Sequence, residues 1–247
     1  MVSKIIAAAE LSVNDCVLEI GPGPGGLTQQ LLKHAGHVIA VELDTQMVAV
    51  LRDLFPDPNI TIIQGDILKL NLPELLAPHA SKGVKVVANL PYYITTPVIL
   101  YLLESGLPFN SITVMVQKEV AKRMAANPGT KDYGSLTLAV KYHADVELIA
   151  NVPVNCFMPR PKVDSAVVQL KPRPAPGVNT DKELLFKVIH AAFNQRRKTL
   201  LNALSAGLEL DKQHIAHAIE RCGLKSDIRG ETLDMADFSR LTQYIFN

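Results

Sequence analysis

Apolar positions along the first two thirds of the chain follow two different periods. Short runs rich in β-branched residues alternate with stretches in which apolar residues recur every three or four positions. The short runs are typical of buried strands, and the longer stretches are typical of amphipathic helices. Repeated strand-helix units predict a mostly parallel sheet with helices on both faces. The predicted strands are 17–20, 38–41, 60–63, 84–88 and 112–116, with helices at 28–33, 47–54, 96–103, 118–126 and 133–142 and a loop after 63.

The pattern then changes twice. Two more strand-like runs flank a proline-rich loop at 156–162 and could close the sheet as an antiparallel pair, which makes seven strands. The segment 171–177 contains three prolines, which remove backbone donors and block helix continuation. We therefore predict an α/β domain at 1–172, a linker at 173–180 and a small all-helical domain at 181–247. The late strands are 146–152 and 165–170, and the late helices are 182–193, 198–204, 212–222 and 235–246, with Gly207 and Gly223 as stop signals.

Composition and charge narrow the class of protein. Apolar residues make up 48% of the chain, but no apolar run approaches the roughly 20 residues that cross a bilayer. The first four residues lack the layout of a signal peptide, so we expect a cytoplasmic protein. Cys16, Cys156 and Cys222 lie far apart and the histidines are scattered, so we predict free thiols and no metal. With a formal net charge of +1, a nucleic-acid partner has to be argued from local clusters.

A glycine-rich loop, 21–26, directly follows the first strand and precedes a helix. Its glycines can turn sharply and let the backbone approach a ligand at the carboxyl edge of the sheet, although a plain strand-to-helix turn is an alternative. Glu42 ends the second strand, where a carboxylate can accept both hydroxyls of a ribose. These two features predict a nucleoside cofactor. Nicotinamide oxidoreductases have both features as well, so the glycine loop and Glu42 do not show which class of enzyme binds the cofactor.

The third and fourth strands also end in polar residues. Asp66, followed by Ile67, could accept from the amine of an adenine ring, or be a solvated turn residue. The fourth strand ends in the sequence Asn-Leu-Pro-Tyr. A neutral adenine amine is a poor nucleophile, and the Asn89 side-chain oxygen with the Leu90 carbonyl can hold its hydrogens and favour a pyramidal nitrogen. Pro91 stiffens the backbone and Tyr92 offers a stacking face, whereas an Asn-capped turn would leave the adjoining tyrosine unexplained.

Taken in order, these motifs resemble the ribosomal RNA adenine dimethyltransferases. The resemblance extends to 156–165 and 193–200 and covers nearly the whole chain. It implies a Rossmann-like S-adenosylmethionine-dependent methyltransferase fold, with S-adenosylmethionine as the methyl donor and S-adenosylhomocysteine as product. It also implies that Phe157 faces the target base opposite Tyr92, although a core phenylalanine is an alternative. The implied cofactor-binding residues are Gly21, Gly23, Glu42, Leu43, Asp66, Ile67 and Asn89, and the implied catalytic residues are Asn89, Leu90, Pro91, Tyr92 and Phe157.

The segment after residue 194 is similar to the small-subunit type of this family. That type dimethylates N6 of two adjacent adenosines in the 3′-terminal hairpin loop of 16S ribosomal RNA during maturation of the small subunit. We therefore expect this RNA, in the subunit or its precursor, as the partner of a monomeric enzyme. The alternatives are the 23S ribosomal RNA dimethyltransferases of the antibiotic-resistance type and a non-catalytic RNA-binding assembly or transcription factor on the same scaffold.

Basic residues supply the local clusters that RNA binding requires. The run 196–198 could be a solvated helix start, but the interpretation places it with other cations around the mouth of one cleft. There they would grip phosphates while the target base is splayed out into the pocket. The predicted RNA-binding residues are Lys118, Lys122, Arg123, Arg160, Lys162, Arg196, Arg197 and Lys198.

The start of the sequence differs from the family pattern. Relatives carry a segment with a Gly-Gln-Asn/His-Phe-Leu motif ahead of the helix that corresponds to 2–9, and the motif is absent here. That segment contributes to the cofactor site. The resemblance therefore implies a folded protein that binds S-adenosylmethionine more weakly than its relatives and turns over slowly or not at all.

Overall fold

The computed structural model describes residues 2–157 and 160–247. Seven strands form one sheet in the order β3-β2-β1-β4-β5-β7-β6. The strands are β1 (Cys16–Ile20), β2 (His37–Glu42), β3 (Ile60–Gln64), β4 (Val84–Asn89), β5 (Phe109–Gln117), β6 (Ala144–Val152) and β7 (Ser165–Pro172). The helices are α1 (Val2–Ala9), α2 (Thr28–His34), α3 (Thr45–Leu54), α4 (Leu72–Leu76), α5 (Thr95–Glu104), α6 (Lys118–Ala125), α7 (Ser135–His143), α8 (Lys182–Asn194), α9 (Leu200–Leu208), α10 (Lys212–Arg221) and α11 (Met235–Phe246).

The pairing of the strands confirms the predicted fold class. Strands β1 to β5 run parallel to one another, and β7 pairs antiparallel with both β5 and β6. The chain runs outward from β1 to β3 and then returns to β4, on the other side of β1. In such a sheet, ligands bind outside the carboxyl ends of the two strands where the order reverses. The loops after β1 and β4 therefore mark the expected site.

The chain divides into two compact units. The sheet unit comprises Met1–Lys122 and Ala144–Arg173, and the helical unit comprises Arg123–His143 and Pro174–Asn247. The predicted domain of residues 1–172 differs from this grouping in one segment, because Arg123–His143 packs with the late helices. Tyr133 shows why: its ring is 2% exposed within the helical core, and its hydroxyl donates to the Leu233 carbonyl at 2.6 Å.

Two local predictions were wrong. The region after β3 is not all loop, because α4 and a 3-10 turn at Ala77–Lys82 lie there. Gly207 is not a stop signal, since α9 begins at Leu200, after its N-cap Thr199, and continues to Leu208. A Cβ built at Gly207 would lie 2.7 Å from Cβ of Ala191, so this glycine allows α8 and α9 to approach closely. Gly223 does follow the end of α10, with a φ of +70°.

Two negative observations complete the description. Within residues 2–157 and 160–247, every helix is too short or too polar to cross a membrane. The same residues include no cluster of three or more histidine, cysteine or acidic side chains that could hold a metal ion.

Candidate active site

The glycine loop after β1 has the shape that the sequence predicts. Gly21 and Gly23 have φ values of +67° and +54°, a region that favours glycine over residues with a Cβ. The Gly21 amide donates to the Val41 carbonyl at 2.9 Å, which fixes the start of the loop against β2. A Cβ built at Gly23 would meet no atom of the described residues within 4 Å. The loop therefore turns sharply and leaves open space beside its backbone.

Glu42 lies at the end of β2 and holds this loop. One of its carboxylate oxygens accepts the amide of Gly23 at 3.0 Å, and the other accepts the amide of Asp44 at 3.0 Å. A carboxylate offers about four acceptor positions, so two remain for the hydroxyls of a ribose. The next residue, Leu43, is 59% exposed and presents an apolar surface at the same edge of the sheet. This donor and acceptor set fits a nucleoside.

Glu19 is a site residue whose role the sequence did not reveal. It lies one residue before the end of β1, is 1% exposed, and accepts a hydrogen bond from the Thr28 hydroxyl at 2.7 Å. Burial raises the pKa of Glu19 to about 8, the negative charge of Glu42 adds to this, and the Thr28 hydrogen bond opposes it. In the sequence, Glu19 is an acidic residue inside the apolar run 17–20 and the first residue of the motif series that resembles the family, but no role was predicted for it.

Asp66 follows β3 and is engaged in a turn. Its Oδ1 accepts the Leu68 amide at 3.1 Å, and its Oδ2 lies 3.6 Å from the Lys69 ammonium. The Lys69 side chain is 82% exposed, so solvent weakens this ion pair. Ile67 is 4% exposed. Asp66 thus caps a turn, as the alternative interpretation expected, and remains partly accessible to a ligand.

The Asn-Leu-Pro-Tyr motif forms the corner between β4 and α5. Asn89 ends β4 with an exposed side chain, while Leu90 is 1% exposed and its amide donates to the Met115 carbonyl at 3.2 Å. The Pro91 carbonyl accepts the Ile94 amide at 3.2 Å, which begins the turn into α5. The Tyr92 hydroxyl is 2.9 Å from the Ser165 hydroxyl at the start of β7. The residues that follow the exposed Asn89 are therefore held by β5, by the turn into α5 and by the start of β7.

The two loops lie close together at the point where the strand order reverses. A Cβ built at Gly21 would lie 3.6 Å from Cδ of Pro91. The loop expected to bind the methyl donor and the motif expected to bind the methyl acceptor are thus immediate neighbours. The sequence predicted the cofactor loop and the acceptor motif separately, and their proximity places them in one site.

Phe157 has a different environment from Tyr92. It is partly buried and packs against the apolar cluster that includes Val152 and Val167. Its role as a stacking partner of the target base stays a prediction, and its packing agrees with the alternative of a core phenylalanine. The two residues that follow in the proline-rich loop, Met158 and Pro159, lie outside the described residues.

The predicted RNA-binding residues divide between the two units. Arg196 is already engaged within the helical unit: its Nε donates to Glu231 at 2.8 Å and its Nη2 donates to the Lys131 carbonyl at 2.8 Å. In the sheet unit, the Lys118 ammonium lies 3.6 Å from the Asp164 carboxylate. Lys122, Arg160 and Lys162 in the sheet unit, and Arg123, Arg197 and Lys198 in the helical unit, are exposed.

Comparison with known proteins identifies the family. The family model described as ribosomal RNA adenine dimethylase matches residues 1–245. The ribosomal RNA small subunit methyltransferase A of Lachnoclostridium phytofermentans is 50% identical, over 99% of this chain and 87% of its own length. The protein of the same name from Alkaliphilus metalliredigens is 43% identical, with the same two coverages of 99% and 87%.

Two solved structures agree with this assignment. A dimethyladenosine transferase from Plasmodium falciparum has a TM-score of 0.82 at 32% identity, over 97% of this chain and 93% of that one. The 23S rRNA methyltransferase ErmE has a TM-score of 0.73 at 25% identity, over 100% of this chain and 97% of that one. The chain therefore belongs to the ribosomal RNA adenine dimethylase family.

Proposed function

We propose that this chain transfers methyl groups from S-adenosylmethionine to N6 of two adjacent adenosines in the 3′-terminal hairpin loop of 16S ribosomal RNA. The reaction would take place in the cytoplasm, during maturation of the small ribosomal subunit, with the enzyme acting as a monomer. The observation that carries the proposal is the proximity of Gly21 to Pro91, since a Cβ built at Gly21 would lie 3.6 Å from Cδ of Pro91 and the glycine loop is therefore beside the Asn-Leu-Pro-Tyr motif. The names of the relatives from Lachnoclostridium and Alkaliphilus support the small subunit as the target.

The residues around the glycine loop fit S-adenosylmethionine. The open space at Gly23 admits its methionine part close to the backbone, and the free acceptor positions of Glu42 suit its ribose hydroxyls. Leu43 and Ile67 provide apolar surface for the adenine ring, and the partly accessible Asp66 can accept from the adenine amine. When bound, S-adenosylmethionine supplies an electrophilic methyl group on its sulfonium.

The Asn-Leu-Pro-Tyr motif would orient the attacking amine. The Asn89 side-chain oxygen and the Leu90 carbonyl accept the two amine hydrogens, which favours a pyramidal nitrogen and stabilises the positive charge that develops on it. Tyr92, held by Ser165, stacks on the base and limits its rotation. The methylated amine then loses its proton to water, so no strong base is needed. The exposed position of Asn89 leaves room for the monomethylated amine to enter again.

The basic residues at 196–198 differ in their contacts: Arg196 is hydrogen-bonded within the helical unit, whereas Arg197 and Lys198 are exposed. We infer that Arg197 and Lys198 contact phosphates and that Arg196 braces the helical unit through Glu231 and the Lys131 carbonyl. Replacing Arg197 and Lys198 together with alanine should flatten the salt dependence of RNA binding by about two phosphate contacts. Arg196→Ala should instead lower the stability of the protein. An unchanged salt slope in the double variant would make 197–198 a solvated turn between α8 and α9.

The decisive experiment uses unmethylated small subunits with labelled S-adenosylmethionine, followed by mapping of the modified bases. Dimethylation of two adjacent adenosines near the 3′ end of 16S ribosomal RNA would support the proposal. Methylation of 23S ribosomal RNA instead would assign the chain to the antibiotic-resistance type. The same assay with a version extended by the Gly-Gln-Asn/His-Phe-Leu segment of the relatives separates low activity from no activity. RNA binding without methyl transfer by both versions would indicate a non-catalytic assembly or transcription factor, and labelling of neither RNA by either version would contradict the proposed reaction.

A further inference from the structure

Two acidic side chains flank the glycine loop, and their surroundings differ. Glu42 accepts two backbone amides and is the predicted ribose ligand. Glu19 is 1% exposed and accepts a single hydrogen bond, from the uncharged hydroxyl of Thr28. Its second oxygen, Oε1, is buried without a hydrogen-bond partner in the part of the chain that the structure describes. A carboxylate with one neutral donor and no cation would be costly at this depth.

The charged groups of the neighbouring elements do not compensate an ionised Glu19. On β2, Glu42 places a second negative charge near it. On α2, Thr28 is the first residue, while the basic residues Lys33 and His34 lie in the last turn. On β4, Lys85 is engaged at the opposite edge of the sheet, where its ammonium lies 3.1 Å from Asp15. The surroundings therefore favour the uncharged acid.

We propose that Glu19 is a positioning residue that holds the glycine loop in its cofactor-binding shape as a neutral carboxylic acid, hydrogen-bonded to Thr28. Glu19 lies two residues before Gly21, and Thr28 is the residue at which α2 begins, so their 2.7 Å hydrogen bond closes the loop at its base. The inference rests on the proposed cofactor site. It assigns different protonation states to two neighbouring carboxyl groups: Glu19 remains neutral so that Glu42 can accept as a carboxylate.

The raised pKa of Glu19, about 8, gives this arrangement a measurable consequence. Above that pH the buried acid ionises, repels Glu42 and favours opening of the loop. If only the neutral form binds the cofactor, the apparent dissociation constant is inversely proportional to the fraction of protein that keeps the proton, so it is about doubled at pH 8 and rises by nearly tenfold per pH unit well above pH 8. Below about pH 7 the effect of Glu19 on affinity should be small.

The test compares wild type with Glu19→Gln, which keeps the size, the neutral charge and an acceptor for Thr28. Binding of S-adenosylhomocysteine would be measured by calorimetry between about pH 6.5 and 9.5, with Glu10→Gln, an exposed glutamate after α1, as the matched control. The ligand's own amino group titrates in the same range. Because it affects each protein equally, the ratio of the wild-type dissociation constant to that of Glu19→Gln isolates Glu19.

We expect the two dissociation constants to agree within about threefold near pH 7, and their ratio to increase by a further factor of about ten at pH 9 and about thirty at pH 9.5. A flat ratio would overturn the role of Glu19 while leaving the cofactor site intact. Loss of binding by a folded Glu19→Gln variant at pH 7 would show that the ionised acid is required. If wild type bound no S-adenosylhomocysteine at any pH, the cofactor site itself would be wrong, and the inference with it.

Thermal unfolding without ligand gives a second measurement. The folded pKa of about 8 lies above the ordinary value of 4.5, so Glu19 contributes stability that is complete below 4.5 and lost as the pH rises through 8. Glu19→Gln should lack this component, and Glu10→Gln should retain it. A variant Glu19→Gln that failed to fold would also contradict the inference, because it preserves the neutral hydrogen-bonding group.

Discussion

The loops after β1 and β4 lie side by side but are held in opposite ways. Two acidic side chains with little exposure hold the loop after β1. Glu42 accepts the backbone amide of Gly23 within the loop, and Glu19 accepts the hydroxyl of Thr28, where α2 begins. The loop after β4 is held by backbone hydrogen bonds and by the Tyr92–Ser165 contact, while Asn89 is exposed. The polar side chains that hold the first loop are buried in β1 and β2, whereas the polar side chain of Asn89 beside the second loop is exposed.

This difference separates two kinds of functional residue. Removal of a buried hydrogen-bonding group leaves its partner unsatisfied, so substitutions beneath the loop after β1 should change stability and cofactor affinity together. Substitutions of exposed groups after β4 should change turnover and leave stability nearly unchanged. The comparison can be tested residue by residue.

The largest effect is expected for Asn89→Ala. Removing an acceptor aimed at the attacking amine should lower kcat by about a hundredfold or more, while unfolding should be unchanged within about 0.5 kcal/mol. Methyl transfer kinetics and urea denaturation would measure both, with Asn14→Ala, an exposed asparagine before β1, as control. Retention of more than about a tenth of wild-type kcat, a loss under about 1.4 kcal/mol, would contradict the role of Asn89.

Glu42→Gln should produce the next largest effect, and in two properties at once. A glutamine has one acceptor oxygen, so it cannot accept the amides of both Gly23 and Asp44, and it offers the ribose fewer acceptors. We expect affinity for S-adenosylhomocysteine to fall about ten- to a hundredfold and stability to fall by about 1–3 kcal/mol. Glu147→Gln, at an exposed position of β6, is the control. Weaker binding at unchanged stability would show that Glu42 binds the cofactor without stabilising the loop after β1.

The candidate site residues at the carboxyl edge of the sheet could be predicted from the sequence, because the ends of strands can be recognised there. The apolar runs located the carboxyl ends of β1 to β4, and each was followed by a polar or glycine-rich motif with a chemical interpretation. Glu19 stands at the head of one of these motifs, but the sequence did not indicate a role for its side chain. Its role depends on complete burial and on a hydroxyl nine residues away, and periodicity reports neither of these.

The helical unit shows a second limit of periodicity. An amphipathic pattern predicts that a helix such as α7 has an apolar face but does not specify the core that this face contacts. The sequence therefore grouped Arg123–His143 with the sheet, whereas in the structure this segment belongs to the helical unit. Gly207 was interpreted as a stop signal, but it lies where α8 and α9 approach each other closely. Such an approach is a property of packing and cannot be recognised from periodicity. Strand ends are encoded locally, whereas partners across a core are not.

A smaller effect is expected for Thr28→Val, which also changes a buried group that holds the loop after β1. The substitution keeps the shape of a fully buried side chain and leaves Glu19 without its hydrogen bond, which should cost about 1–3 kcal/mol of stability. Because the Thr28 bond lowers the pKa of Glu19, its loss should raise that pKa above the wild-type value of about 8.

The sign of the pH effect follows from this shift. The stability that wild type loses between about pH 4.5 and 8 should be lost over a range extending to higher pH in Thr28→Val. Urea denaturation at several pH values would measure it, and Thr130→Val, in the helical unit, supplies a threonine remote from Glu19 in sequence. A pH profile identical to that of wild type would mean that Thr28 does not act on the acid.

The smallest effect is expected where the exposed loop is fixed by a single hydroxyl contact. Tyr92→Phe removes the hydrogen bond to Ser165 but keeps the ring that stacks on the target base, so kcat/KM should fall by about 0.5–1.5 kcal/mol, at most about tenfold. Ser165→Ala removes the same bond from the other side. If the bond itself orients the ring, the double variant should lose no more than either single variant, because both changes delete one interaction. Methyl transfer rates of the four proteins would complete the cycle. Additive losses would show that the two hydroxyls act separately, and Tyr92 would then be oriented by the backbone of its loop alone.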